Sequence, residues 1–404
     1  MLIEFKARNF RSFHDELTFS MLATSDKSLP ANTFTAPNFG GRKLLHSAAI
    51  YGANASGKSN LVAAMQSMAR FICEDVNSPP GNPIATDPFL LSAKPNTEPT
   101  SFEITFIAAG IRYQYGFQIT CECILQEWLV AYPHGLPQTW FERNYQRVAA
   151  SEPTWYFGRR LKGENIRLSK LTQPNQLFLS RAAQDNHPQL LPVHQWFGNT
   201  LKVFSQSTTA LPNQFKPNSS LYTAIRHIMQ AADFGIIDFE IEDATNPSNV
   251  KMIYQAGEGE RIAMPLEKES SGVRRLFALA APIVEILQSG GTLFVDDLDA
   301  NLHPLLAYSL VNIFHKPESN PNHAQLIFSA HDTSLIDTRL LRRDQIWFVE
   351  KDRQGNTQLY ALAEFSPRKE EHLARGYLLG RYGAIPFLGE SLGNEVIVRT
   401  LPDA

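Results

Sequence analysis

The residues with the clearest chemical meaning form a glycine-rich run at 52–59. The run reads Gly-Ala-Asn-Ala-Ser-Gly-Lys-Ser, which matches the phosphate-loop pattern of a glycine, four residues and then Gly-Lys-Ser/Thr. In such a loop the backbone N–H groups surround an anion, Lys58 reaches the β- and γ-phosphates, and the Ser59 hydroxyl binds Mg²⁺. The run predicts a nucleoside triphosphate site with contacts from Gly52, Asn54, Ser56, Gly57, Lys58, Ser59 and Asn60.

Two adjacent acids, Asp296 and Asp297, follow an apolar run at 292–295. A buried strand that ends in carboxylates can hold them beside the metal and the γ-phosphate. We predict that Asp296 holds Mg²⁺, directly or through water, and that Asp297 polarises the attacking water. Many strands end in acids, but together with the phosphate loop the pair indicates ATP hydrolysis, with Lys58 and Asp297 as catalytic residues.

A histidine, His331, ends a second apolar run at 326–330, which lies one helix and one strand beyond Asp296. A single histidine at a strand end is usually structural. Because this run should form the strand next to that of the acids, His331 would lie at the same sheet edge and could contact the γ-phosphate. We therefore predict His331 as a third catalytic residue.

A turn of small residues, Glu269-Ser270-Ser271-Gly272, precedes the acids and opens a helix. One interpretation is an ordinary helix N-cap formed by Ser270 or Ser271. The other is a second anion site at a helix N-terminus, which would grip the γ-phosphate held by another subunit. The loop after the acids, 299–304, lies where a dimer contact would be expected.

The elements that must position these residues follow from the hydrophobic patterning. Helix and strand patterns alternate from 271 to 329 and predict a parallel sheet flanked by helices, whereas alternating runs between 101 and 143 predict an antiparallel meander. We predict an α/β fold with a P-loop ATPase core at 1–75 and 262–404, an antiparallel β subdomain at 84–170, and a helical insertion with short strands at 171–261.

Composition agrees with an ordinary globular chain. The 404 residues include 43% hydrophobic and 19% charged residues, and the net charge of −3 argues against coating nucleic acid. Three cysteines do not indicate a disulfide framework, and Cys121 and Cys123 lack further ligands at metal-site spacing. No signal peptide or membrane-length apolar run is present, so we expect a cytoplasmic protein without membrane contact.

In their order along the chain, these motifs resemble the ABC-type ATPase heads of the SMC and RecF group. They are more similar to stand-alone AAA ATPases of bacterial phage defence, of the RloA and AbiL type, and to the ATPase half of OLD-family nucleases. Three stretches carry the closer resemblance: 9–13, 298–304 and 377–386. The resemblance implies an ABC-type head that binds ATP and Mg²⁺ and forms a homodimer or higher homo-oligomer.

The resemblance also assigns individual residues. Ser271 and Gly272 would be the signature that completes the partner's site in trans, His331 the switch histidine, and 301–303 the D-loop. The run Leu177–Ser180 looks like the strand before the Q-loop, which nominates Gln184 as a further metal ligand, with Gln114 as a weaker candidate. One departure stands out: Asp297 occupies a position where the family usually has glutamate, so hydrolysis is expected to be slow.

Four functions can be weighed. The first is an ATPase that senses or scaffolds and controls a separate nuclease or toxin in anti-phage defence, triggered by DNA or a phage protein. The second is a DNA-repair ATPase similar to RecF and SMC, with phosphate contacts from the basic clusters at 159–162, 274–275 and 342–343. An importer subunit fits the meander poorly, and a self-sufficient nuclease would need the acids of a TOPRIM domain, for which we see no pattern.

Overall fold

The computed structural model of the chain describes residues 1–74, 81–91, 98–145, 152–204, 219–241, 250–367 and 371–386. The strands in these ranges are β1 Leu2–Arg8, β2 Leu17–Ser20, β3 Thr33–Thr35, β4 Lys43–Leu45, β5 Ser47–Tyr51, β6 Thr100–Ala108, β7 Ile111–Ile119, β8 Ile124–Tyr132, β9 Gln138–Asn144, β10 Thr154–Phe157, β11 Leu201–Phe204, β12 Ile236–Ile241, β13 Val250–Gln255, β14 Arg261–Pro265, β15 Thr292–Val295, β16 Gln325–Ser329, β17 Ile346–Lys351 and β18 Thr357–Ala361. The α-helices are α1 Lys58–Cys73, α2 Asn165–Leu171, α3 Phe178–Gln184, α4 Leu191–Asn199, α5 Ser220–Ala231, α6 Ser271–Ser289, α7 Pro304–His315 and α8 Leu373–Leu378.

A six-stranded sheet in the order β11-β15-β16-β5-β17-β18 holds the sequence motifs. Its first five strands are parallel, and only β18 runs antiparallel to its neighbour β17. In the register, Val295 lies beside Phe328, and Ser329 lies beside Ile50. The phosphate loop, the acid pair and the histidine therefore leave the sheet at the same edge, as predicted.

A second, seven-stranded sheet is antiparallel throughout, in the order β10-β9-β8-β7-β6-β1-β2. The meander predicted between 101 and 143 forms its strands β6 to β9, and the mixed α/β fold class is confirmed. Alternating burial along β6 and β7 places Ile104 and Phe106, and Tyr115 and Phe117, in the core. The sheet thus buries one face, as an antiparallel sheet can.

Helix α1 packs in the core that the two sheets share. Its apolar residues recur at helical spacing, and Leu61, Met65, Met68 and Ile72 are buried in one cluster with side chains of both sheets. The opposite face of the parallel sheet is covered by α6, which contacts β15, and by α7, which contacts β16 and β5, while α5 packs on α6 in the same second cluster. Both faces of β5 are therefore buried, which is the usual environment of a parallel strand.

Strands from different predicted segments pair with each other in the same sheet. β1 and β2 lie in the segment assigned to the P-loop core, yet both belong to the antiparallel sheet, where β1 pairs with β6 and β2 pairs with β1. β11 lies inside the predicted helical insertion, yet it pairs with β15 at the edge of the parallel sheet. The prediction of a strand at Leu177–Ser180 is wrong, because residues 178–184 form α3.

Arg342 and Asp344 form a buried ion pair at the base of β17. The two side chains are 2% and 3% exposed, with Nη2 of the arginine 2.6 Å from Oδ2 of the aspartate. Arg342 also donates to the carbonyls of Asp26 and Ser28. The pair therefore ties the loop after β2 to the parallel sheet.

We expect Arg342→Ala to lower the free energy of unfolding by about 3 kcal/mol, because it leaves the carboxylate of Asp344 buried without its cation. Urea denaturation followed by circular dichroism measures the change. The pair Arg339–Asp337 supplies the control, since its arginine is 84% exposed. Arg339→Ala should leave the transition unchanged, and equal losses in both variants would contradict the role of burial.

Candidate nucleotide site

The phosphate loop connects β5 to α1 in a conformation that only certain residues allow. Gly57 has φ +117°, and a Cβ there would lie 2.5 Å from Oγ1 of Thr357. At Gly52 a Cβ would lie 2.3 Å from the carbonyl oxygen of Val349. Both glycines of the motif are thus required by close packing of the loop against β17 and β18, and Gly57 also by its left-handed backbone.

Lys58 is the first residue of α1 and is only 5% exposed. Its Nζ donates to the carbonyls of Gly52 and Ala53, at 2.9 and 3.1 Å. Burial lowers the pKa of Lys58, and the carboxylates of Asp297, Asp296 and Asp299 oppose that shift. The lysine therefore bonds to the carbonyls of its own loop and is within electrostatic reach of the acid cluster.

A buried polar network behind the loop was not predicted from the sequence. Oγ1 of Thr357 donates to the carbonyl oxygen of Ser56 at 2.8 Å and is hydrogen-bonded to Oγ of Ser12, also at 2.8 Å. The Asn60 amide also donates to Ser12, at 2.7 Å. The side chain of Asn60 thus supports the loop from behind, and its predicted contact with ATP stays a prediction. Nothing at Thr357 in the sequence signals this role.

The acid pair shares one hydroxyl. Oγ of Ser329, the last residue of β16, lies 2.7 Å from Oδ1 of Asp296 and 3.2 Å from Oδ1 of Asp297. The backbone N–H of Asp297 donates to the same Oγ at 2.7 Å. Ser329 is fully buried, and its position two residues before His331 is the one sequence signal that could have identified it.

Arg275 fixes the backbone of the acid pair from the side of α6. Its Nη2 donates to the carbonyls of Asp296 and Asp297, at 2.8 and 2.7 Å. Burial lowers the pKa of Arg275, opposed by the carboxylates of the acid cluster. Asp297 has φ +50°, a left-handed backbone that is uncommon for a residue with a side chain. Arg275 donates to its carbonyl and Ser329 accepts from its N–H, and these two hydrogen bonds hold Asp297 in that conformation.

His331 lies beside Asp297, as the sequence predicted. Its Nε2 is 3.6 Å from Oδ1 of Asp297, and its side chain is 47% exposed. Asp299, which the sequence did not single out, accepts hydrogen bonds from the backbone N–H groups of His331 and Asp332, at 2.8 and 2.6 Å. The loop after β15 therefore holds the turn after β16, and both loops meet at the acids.

Ser271 is the exposed first residue of α6, and Ser270 is its N-cap, whose side chain accepts from the N–H of Val273 at 3.3 Å. Ser270 therefore forms the helix N-cap, and the side chain of Ser271 is not used for capping. A Cβ at Gly272 would lie 2.9 Å from the carbonyl oxygen of Asn301. The predicted signature thus packs directly on the predicted D-loop of the same chain.

Gln184 does not lie with these residues. It is the last, exposed residue of α3, and Ser180 in the same helix donates to the carbonyl of Ile72 near the end of α1. Since α1 begins at Lys58, about 21 Å of helix separates that contact from the phosphate loop. The assignment of Gln184 to the metal loses its structural basis. Gln114, which accepts a hydrogen bond from the Tyr132 hydroxyl within the antiparallel sheet, does not replace it.

The structure also removes one candidate phosphate contact from each of two predicted basic clusters. Arg275 and Arg342 are 9% and 3% exposed, and both are engaged in internal hydrogen bonds. One arginine in each pair is therefore not a phosphate contact. The cluster at 159–162 keeps its three cationic side chains exposed.

The donor set suits a nucleotide with Mg²⁺. Ser56 Oγ is buried and has no hydrogen-bond partner among the described residues, so the loop contains an unsatisfied polar atom. The hydroxyl of Ser59 and the carboxylate of Asp296 are oxygen donors, which Mg²⁺ prefers. Among the described residues, no three His, Cys, Asp or Glu side chains could hold a metal by themselves. Mg²⁺ that takes its other ligands from phosphate and water needs no such group.

Comparison with known families identifies the class of protein. The profile described as "AAA domain, putative AbiEii toxin, Type IV TA system" matches residues 47–337, which is more than half of the chain and includes the phosphate loop, the acid pair and His331. The chain belongs to this family. Its site is thus that of an AAA-type, P-loop ATPase domain.

Solved structures similar to this chain include heads of SMC proteins. The SMC head domain from Thermotoga maritima is 14% identical with a TM-score of 0.41, covering 89% of this chain and 98% of that chain. An Smc head with an extended coiled coil bound to the C-terminal domain of ScpA, from Pyrococcus furiosus, is 12% identical with a TM-score of 0.42, covering 90% and 97%. No protein of curated function matches the chain. Within the described ranges, none of the helices has the length and apolar character needed to cross a bilayer.

Proposed function

We propose that the protein binds and hydrolyses ATP with Mg²⁺. The observation that carries the proposal is the convergence of the phosphate loop, Asp296, Asp297 and His331 at one edge of the parallel sheet, with Lys58 buried beside the acids. Mg²⁺, when bound, neutralises charge on the β- and γ-phosphates. Ser59 and Asp296 are the residues that would hold it.

The side chains of the protein have separate roles in binding and hydrolysis. Lys58 exchanges its two loop carbonyls for phosphate oxygens, and the N-terminus of α1 adds its partial positive charge. Asp297 orients the attacking water and accepts its proton. His331, beside Asp297, contacts the γ-phosphate and registers its loss on hydrolysis. A carboxylate shorter than glutamate reaches less far toward the water, which makes turnover slow.

The proposed assembly is a homodimer closed around ATP, with higher homo-oligomers built from it. Support comes from Ser271, which is exposed at the start of a 19-residue helix, and from Gly272, which packs on the loop that follows the acids. In the dimer the Ser271–Gly272 turn of one subunit faces the γ-phosphate in the other. Binding of ATP closes the dimer, and hydrolysis opens it.

The proposed biological role is that of a sensor or scaffold that controls a separate nuclease or toxin in anti-phage defence. The family description, which names a toxin of a toxin–antitoxin system, is compatible with this setting. Isolation of the protein with ATP, and identification of what co-purifies, tests the role. An effector enzyme in the complex supports it, whereas turnover that rises steeply with DNA and falls with salt would favour a DNA-repair ATPase instead.

The direct test of the chemistry is ATP turnover by the purified protein with and without Mg²⁺. Phosphate release and light scattering should give slow hydrolysis and an ATP-dependent rise in mass above the 45.4 kDa of one chain. ATP that neither binds nor turns over would reject the proposal.

Asp297→Glu should keep the turnover number or raise it up to about tenfold, because the longer side chain brings the base closer to the water. The control is Asp297→Asn, which keeps the size of the side chain but removes the base and should lose turnover. Phosphate release measures both variants. If Asp297→Glu is as inactive as Asp297→Asn while it still binds ATP, Asp297 does not position the water.

A further inference from the structure

We propose that Ser329 is a positioning residue that orients both acids of the nucleotide site. The inference rests on the proposed function and deepens it, because Ser329 acts on the reaction through Asp296 and Asp297. Its Oγ lies within hydrogen-bond distance of Oδ1 of both acids and receives the backbone N–H of Asp297. Three polar groups of the acid pair therefore converge on one hydroxyl.

The hydroxyl has one proton, so it can donate to only one carboxylate at a time. The distances, 2.7 Å to Asp296 and 3.2 Å to Asp297, favour donation to Asp296. When Asp296 turns away, the proton becomes available to Asp297. Ser329 therefore couples the orientations of the two acids. Its hydroxyl donates to the water-positioning carboxylate of Asp297 only when Asp296 no longer accepts that hydrogen bond.

The surroundings of Ser329 make this hydroxyl rigid. The residue is fully buried at the end of β16, between β15 and β5, and its carbonyl accepts the N–H of Leu298. A buried hydrogen bond to a charged group is stronger than one between neutral groups. Loss of the hydroxyl would leave two carboxylates close together with no donor between them, so they should move apart.

The test uses three variants of the full chain. Ser329→Cys replaces the hydroxyl with a slightly larger group that donates weakly, Ser329→Ala removes the donor, and Ser329→Thr keeps the hydroxyl. We expect the cysteine and alanine variants to lose about 10- to 100-fold in kcat. The Mg²⁺ concentration for half-maximal ATP binding, measured by calorimetry, should rise severalfold. ATP affinity in EDTA should stay unchanged, and Ser329→Thr should recover kcat to within about threefold.

Ser47→Ala is the matched control, because Ser47 is also a fully buried strand serine with hydrogen bonds, to His315 and Gln345, but lies at the other end of β5. It should lower stability without changing the Mg²⁺ dependence. Normal kcat and Mg²⁺ dependence in Ser329→Cys would overturn the inference. Equal changes in kcat and Mg²⁺ dependence in Ser47→Ala would also overturn it. So would a folded Ser329→Thr variant whose kcat stays as low as that of Ser329→Ala. A wild-type protein that does not bind ATP would instead overturn the proposed function, and this inference with it.

Discussion

Lys58→Ala should weaken ATP binding by about 100-fold or more. Nζ is only 2.9 and 3.1 Å from two loop carbonyls, so the amine already lies inside the loop that would surround the phosphates. A cation that bonds to phosphate oxygens in a partly buried site contributes several charge-assisted bonds at once. Each tenfold loss of affinity corresponds to about 1.4 kcal/mol, so the loss of two such bonds accounts for the expected effect.

Isothermal calorimetry with ATP and Mg²⁺ measures the change. Lys351→Ala, which removes an exposed lysine from the end of β17, is the control and should bind normally. Unchanged ATP affinity in folded Lys58→Ala would reject the assignment of the loop.

Asp297→Ala and His331→Ala should each lower turnover by at least about 100-fold and trap an ATP-bound dimer. Neither side chain builds the phosphate loop, so ATP should still bind and close the dimer while hydrolysis fails. Light scattering with ATP and Mg²⁺ should give about twice the 45.4 kDa mass of the chain. The wild type, which reopens after hydrolysis, should give a mixture.

A second substitution separates the dimer model from a simple loss of activity. Ser271→Arg adds a bulky cation at the exposed start of α6, outside the nucleotide site of its own subunit. Combined with Asp297→Ala, it should keep ATP binding but leave the protein monomeric. Dimers that persist in this double variant would show that the Ser271–Gly272 turn is not the contact. Monomers in Asp297→Ala itself, with ATP bound, would exclude the sandwich.

The motif residues could be predicted because their chemistry restricts the residue types at each position. Only glycine fits at Gly57, where φ is +117° and a Cβ would meet Thr357. The alternation of strands and helices from 271 to 329 predicted that β15 and β16 would be neighbours, and the pairing of Val295 with Phe328 agrees. The placement of His331 beside Asp297 follows from that pairing.

Other parts of the site could not be predicted, because they depend on contacts between distant segments. Thr357 and Ser12 support the phosphate loop across 345 residues of sequence separation. β11 reads as part of a helical block, yet it extends the parallel sheet because its four residues find a partner in β15. The strand expected before Gln184 is instead a helix. The carboxylate of Glu127 accepts the N–H groups of Phe178 and Leu179 at the start of that helix.

The sequence by itself determined the phosphate loop, the acid pair, the histidine and the α/β class, because hydrophobic periodicity and glycine requirements are local properties. The tertiary structure decided which other groups act on them. Ser329 lies between the two acids, Arg275 holds their backbone from α6, and Asp299 holds the turn of His331. These contacts exist only because parallel strands align their ends at one edge, and no local pattern encodes which side chains meet there.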